Sequence, residues 1–175
     1  MKNFKLILSF LIIAAAMTFI ALPIVNAHAV KYGPSSYSSY PAYYNTHPLP
    51  TSKYFKHKIL KMVMEVDSPN PAKWNYAVGV LTAVMKAFGD NPSKFKIELV
   101  AFGAGVKMVN SKTDKTNAAR LQSLTAYGLK IRACHNAMLA FHLTKKDLFP
   151  FVKVVPAGAI EIIRKIDQGY APLKP

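Results

Sequence analysis

The hydrophobic period of this chain switches repeatedly from residue 58 onward, and each switch marks an element. "KILKMVMEV" (58–66) alternates apolar and polar positions and predicts a strand, which the turn formers of "DSPNP" interrupt. In "AKWNYAVGVLTAVMKAFG" the period lengthens to that of a helix: Trp74, Val78, Leu81 and Met85 share one stripe, and Gly89 supplies a stop. "FKIELVAFG" predicts a second strand, "DKTNAARLQSLTAYG" a second helix ending at Gly128, and "LKIRAC" a third strand. "HNAMLAFHL" is a short helix, "FVKVVPAG" a fourth strand, "AIEIIRKIDQG" a fourth helix and "YAPL" a short fifth strand.

Strands that alternate with helices build a parallel sheet with right-handed crossovers. Residues 56–175 are therefore expected to form one α/β domain: a small doubly wound (flavodoxin- or Rossmann-like) parallel sheet of four to five strands with helices on both faces. Ligands in such sheets gather beyond the carboxyl ends of the strands, where the winding reverses. If the strand order is 2-1-3-4-5, the loop carrying Asp67, Ser68 and Asn70 faces the segment Cys134-His135-Asn136 across that crevice.

The chain ahead of the domain has a different pattern. Lys2 and Lys5 precede a run from Leu6 to Leu22 that is apolar apart from Ser9 and Thr18, and Ala27-His28-Ala29 fits a small-x-small cleavage site. That order predicts a signal peptide over residues 1–29 and a periplasmic or secreted protein. A retained membrane anchor is the alternative, since the run just reaches the length of a short span. Residues 30–55 are rich in Tyr, Ser and Pro without aliphatic periodicity, so they are expected to form an extended arm. The arm is either a spacer or a segment that docks through its tyrosines.

Charge narrows the partners. The chain carries 23 Lys and Arg against 8 Asp and Glu, a net +15 that becomes +13 when Lys2 and Lys5 leave with the signal. In an exported protein this excess argues against nucleic acid and for acidic partners, small anions or an anionic membrane surface. The basic residues are scattered, with no run longer than a pair such as Lys145-Lys146.

The candidate chemistry centres on "RACHNAM", which holds the single cysteine, Cys134. An unpaired cysteine in an exported chain is a free reactive thiol, an intermolecular disulfide partner, or a buried small hydrophobe. Cys134 ends a strand and starts a helix, and a helix start favours the thiolate form. Arg132, two residues earlier on the same strand face, adds positive charge. His135 and Asn136 adjoin the thiol. His135 and His142 stand two turns apart, about 10 Å, too far to share an ion, so no metal is expected. Gly103 and Gly105 follow a strand, but Met108 stands where a dinucleotide fingerprint needs its third glycine. They serve a tight turn or cradle an anion. No nucleophile elbow or phosphate-binding loop is present, and no cofactor is expected.

Several segments, in order, carry a resemblance: "AKWNYAV", "ELVAFGAGV", "YGLKIRACHNAM", "VVPAGAIEI" with its loop glycine Gly158, and "QGYAPLKP". From about Lys56 to its end the chain resembles the DsrE/DsrF-like family. The resemblance implies a homo-oligomer, often a trimer or hexamer, and a cysteine that carries sulfane sulfur as a persulfide, at the position of Cys134. The resulting expectation is an exported thiol protein that binds or relays reduced sulfur, with at most a sulfurtransferase-type activity and a donor or acceptor protein as partner. The competing expectation is a non-catalytic homo-oligomer of the periplasm that binds a partner or a small ligand, such as an anion, at the same crevice; a membrane is a partner only if the signal is uncleaved. The cleavage pattern is tested by N-terminal sequencing of the exported protein: a start at Val30 is expected, and a start at Met1 in a membrane fraction contradicts it.

Overall fold

The computed structural model describes residues 55–175; the segments read from the sequence as a signal peptide and an arm lie, as far as Tyr54, outside the described residues. Five strands run through the domain: β1 (Leu60–Val66), β2 (Phe95–Ala101), β3 (Lys130–Cys134), β4 (Lys153–Val155) and β5 (Ala171–Leu173). They alternate with four helices, α1 (Pro71–Ala87), α2 (Ala118–Ala126), α3 (His135–Ala140) and α4 (Gly158–Asp167). Capping explains the abrupt start of α1. Asn70 accepts a hydrogen bond from the Ala72 N–H at 2.9 Å, and Pro71 occupies the first turn, where its missing N–H costs nothing.

All strand pairs are parallel, in the order β4-β3-β2-β1-β5. This corrects the 2-1-3-4-5 arrangement: β2 lies between β1 and β3, so the Asp67–Asn70 loop and Cys134-His135-Asn136 do not face each other across a single crevice. Three successive crossovers step in one direction and keep α1, α2 and α3 on one face. The last crossover returns from β4 to the far side of β1 and carries α4 over the opposite face. The winding therefore reverses between β3 and β4. Cys134, the last residue of β3, is paired there with Val155, the last residue of β4.

The two faces differ in kind. On the first, Met62, Met64, Ile97, Leu99 and Ile131 of the sheet pack against Trp74, Val78, Leu81 and Met85 of α1, the stripe read from the sequence. The second face has a small apolar cluster, Val63, Val100 and Ile162, with Phe102 and Tyr170 packed against it. Beside it lie buried Glu98, Glu161 and Lys165.

A 3-10 segment, Gly103–Val109, follows β2 and buries Val106, Met108 and Val109. Helical patterning did not anticipate it, because a stretch this short has too few turns to show a period. Gly105 seats the segment on β1: a Cβ there would lie 2.0 Å from the Val66 carbonyl oxygen. Rigid backbone cannot yield that space. Gly105→Ala is expected to destabilise the domain by about 3 kcal/mol or more, at or above the upper end of overpacking costs. Gly89→Ala is the control: it meets no atom within 4 Å and carries only the strain of a φ of +69°, about 1 kcal/mol. Thermal unfolding checks both; equal shifts in Tm would contradict the packing argument.

Candidate functional site

Cys134 stands where β3 passes directly into α3. Its backbone is extended (φ −72°, ψ 118°) and occupies the N-cap position of that helix. The residue is 7% exposed and unpaired. A second helix start reaches it from the opposite face. A Cβ added to Gly158, the first residue of α4, would lie 3.1 Å from the Cys134 Cβ and 2.6 Å from the Phe102 Cβ. Glycine thus lets α4 begin in contact with the thiol, and Gly158 belongs to the helix rather than to the loop before it. Phe102, half-buried just past β2, closes a further side. The switch between β3 and β4 therefore brings the starts of α3 and α4, where helices carry positive partial charge, to the one residue Cys134.

His135 and Asn136 form the first turn of α3 beside the thiol, and both are exposed. Arg132 is differently engaged from what its place in the sequence implies. Its Nε lies 3.3 Å from the Glu98 Oε2, so a carboxylate, not the thiol, is its observed partner. The Lys165 Nζ is 3.2 Å from the same oxygen and 3.8 Å from the Glu161 Oε1. Glu161 is also held by Arg164, whose Nε donates to Oε2 at 2.9 Å and whose Nη2 donates to Oε1.

Glu98 sits in the middle of the central strand and is 1% exposed. Burial pushes its carboxyl above the ordinary glutamate value and neighbouring Glu161 adds to the rise, while Arg132 and Lys165 pull the other way. Burial by itself would raise Glu161 too, but its hydrogen bonds to Arg164 hold it below the ordinary value. Of the two acids, Glu98 is therefore the one that keeps a proton more readily. These charges lie behind Arg132, on the same sheet face as α4.

The remaining sequence candidates collect at the end of β1. The Lys174 ammonium donates to the Asp67 Oδ2 at 2.6 Å and holds that carboxyl below its usual value. Ser68 Oγ accepts from the Asn70 N–H at 3.2 Å, and its carbonyl accepts from the Trp74 indole N–H at 2.7 Å. With Asn70 capping α1, Ser68 and Asn70 shape a helix start that β2 separates from the strand of the thiol. Gly103 (φ +48°) opens the 3-10 segment next to the Asp67 carbonyl, and Gly105 packs on β1. Both glycines thus act in the turn that joins β2 to the end of β1.

The sequence reading overlooked Glu98, Glu161 and Lys165. Two signals pointed to them: a single acid in the apolar run "IELVAF" of a strand expected to be buried, and an acid and a base four apart in "AIEIIRKID". The isoleucines around the second pair obscured it by implying that the apolar side faces inward. In the structure Ile162 faces in with Glu161 and Lys165, while Ile160, Ile163 and Ile166 are 64%, 61% and 43% exposed.

Comparison with known proteins adds a family. A search of curated proteins found no match. Among solved structures, a protein of unknown function, MTH1491 from Methanobacterium thermoautotrophicum, is similar with a TM-score of 0.57 and 25% identity, over 66% of this chain and 99% of that one. The ychN protein from E. coli is similar with a TM-score of 0.53, over 66% of this chain and 99% of its own; at 11% identity it speaks for the fold alone. Residues 61–175, which take in all five strands but for the first residue of β1, match the model of the DsrE/DsrF-like family, and the chain belongs to that family.

Proposed function

We propose that this protein is an exported carrier of reduced sulfur, and that Cys134 binds the sulfur and passes it on. The observation that carries this reading is the convergence of two helix starts on the one thiol at the switch between β3 and β4. Positive helix ends stabilise sulfur anions, which are both the attacking species and the product. Cys134, as thiolate, attacks the terminal sulfur of a polysulfide; a new S–S bond forms to Cys134 and the adjacent S–S bond of the polysulfide breaks. The departing chain, one sulfur shorter, keeps the electron pair, and Cys134 is left as a persulfide anion. Attack by an acceptor thiolate on the outer sulfur then returns the Cys134 thiolate. No oxidant or cofactor enters either step. Low exposure of the sulfur shields a persulfide from water between donor and acceptor.

Membership of the DsrE/DsrF-like family supports a sulfur-relay type of role and, with it, a homo-oligomer. Ile160, Ile163 and Ile166 offer an apolar strip on α4 for contact with another copy.

Exposure of the mature protein to polysulfide, followed by intact mass measurement, tests the carrier. Mass should rise in steps of one sulfur, fall back on reduction, and not rise in Cys134→Ser. An unmodified mass for the native protein would overturn the reading and leave the ligand-binding oligomer. The oligomer has its own check in light scattering of residues 55–175: a defined multimer is expected, weakened by Ile163→Glu, whereas a monomer at micromolar concentration contradicts it.

A further inference from the structure

We infer that Glu98 is a positioning residue for Cys134: its buried carboxylate engages Arg132 and, through Lys165, holds the last turn of α4, the helix whose first residue rests on Cys134, so that neutralising Glu98 raises the thiol's reactivity. The inference rests on the proposal that Cys134 reacts, and it adds how that reactivity is regulated.

Glu98 is expensive where it stands. Neither of its oxygens makes a hydrogen bond of good geometry, although both are fully buried. Its partners are the ion pairs to Arg132 and Lys165, both through Oε2. An apolar side chain of similar volume in place of a buried ion cluster is often neutral or stabilising. Stability alone does not account for a carboxylate here.

Its two cations lead to the thiol by separate routes. Arg132 precedes Cys134 by two residues on the same strand and so faces the same side of the sheet. A negative Glu98 cancels part of the Arg132 field that would otherwise favour a thiolate or persulfide two residues away. Lys165 belongs to α4, whose first residue, Gly158, rests on Cys134. The apolar hold on α4 is thin: Ile162 is the residue of this helix that joins Val63 and Val100 in the second core. The Lys165 pair with Glu98 therefore carries much of its attachment to the sheet, while the Lys165 pair with Glu161 lies within the helix. Loss of charge at Glu98 frees the Arg132 field and releases the last turn of α4, loosening the helix whose first residue rests on Cys134. The two effects act in the same direction.

Acid performs the same neutralisation as a substitution. The charged groups that face Glu98 are Arg132 and Lys130 from β3, Glu161, Arg164 and Lys165 from α4, and Lys96 from its own strand; β1 presents Val63 opposite it, with Lys61 further along that face and Tyr170 near Lys165. Burial and Glu161 together raise the carboxyl of Glu98, so it takes up a proton above the pH at which an exposed glutamate does. Proton uptake by Glu98 in that window removes the same charge as Glu98→Gln does.

The test is the rate of iodoacetamide labelling of Cys134 in the mature protein, followed by intact mass from mildly acid to mildly alkaline pH, with Cys134→Ser as the blank. For an isolated thiol the logarithm of the rate climbs one unit per pH unit in its acid limb. Native protein should climb less steeply where Glu98 titrates. Glu98→Gln should label about three- to ten-fold faster at neutral pH, the size expected of one nearby charge, and should regain the full slope. Glu98→Asp, which keeps the charge, should stay close to the native profile. A folded Glu98→Gln protein that labels no faster than native, with the native slope, overturns the inference. Should that variant fail to fold, the native profile decides: a slope of one throughout overturns it, and a depressed slope upholds it. The outcome is separable from that of the carrier reading. Faster labelling in Glu98→Gln without sulfur uptake from polysulfide sinks the carrier and leaves the clamp; equally fast uptake by native and Glu98→Gln proteins sinks the clamp and leaves the carrier.

Discussion

The return of the chain from β4 to the far side of β1 is the constraint on which the other features depend. Three crossovers in one direction place three helices on one face; a right-handed connection back across the sheet must place the last helix on the other. That single reversal puts the end of β3 beside the end of β4 and sends the segments after them to opposite faces. Cys134 lies at the parting, touched by the helix that leaves on one side and by the helix that leaves on the other.

From the same reversal follows the asymmetry of the sheet. Three helices cover the first face, and it is filled by apolar side chains of both layers. Among the described residues the second is covered by α4 alone, and the central strand meets that helix with an acid. Burying Glu98, Glu161 and Lys165 together is tolerable because they are mutually close and reach Arg132 and Arg164. The consequence is a helix attached largely by charge, with its isoleucines turned outward. An element held in this way responds to proton uptake and to charge placed nearby far more than one locked by apolar packing.

Much of this architecture was legible in the sequence. The alternation of periods located all five strands and all four helices, and the stripe from Trp74 to Met85 is the buried side of α1. Boundaries moved where local hydrogen bonding competes with the helix: α2 begins at Ala118 because Asn117 turns back to Asp114, its N–H to Oδ1 at 3.1 Å and its Nδ2 to Oδ2 at 2.9 Å. Pro156 lacks an N–H to donate, and β4 stops at Val155. The lone thiol was legible too, because a strand end before a helix is a local pattern. Strand order was not, since nothing local states on which edge the fourth crossover lands. Nor was the orientation of α4: Ile160, Ile163 and Ile166, three apart, satisfy an apolar-inward pattern, and only the acid in β2 decides that Glu161 and Lys165 turn in. Arg132 was read as a neighbour that charges the thiol's surroundings, whereas its ion-pair partner, Glu98, lies on another strand.

The claim at the centre of this account is that α4 is a charge-held cover over Cys134. Native-state hydrogen exchange of α4 before and after alkylation of Cys134 tests it most directly. The account predicts that α4 amides exchange faster than those of α1 in the native protein, and faster still once the thiol carries a group, with α1 unchanged. Protection of α4 equal to that of α1, unaltered by modification of Cys134, would contradict it.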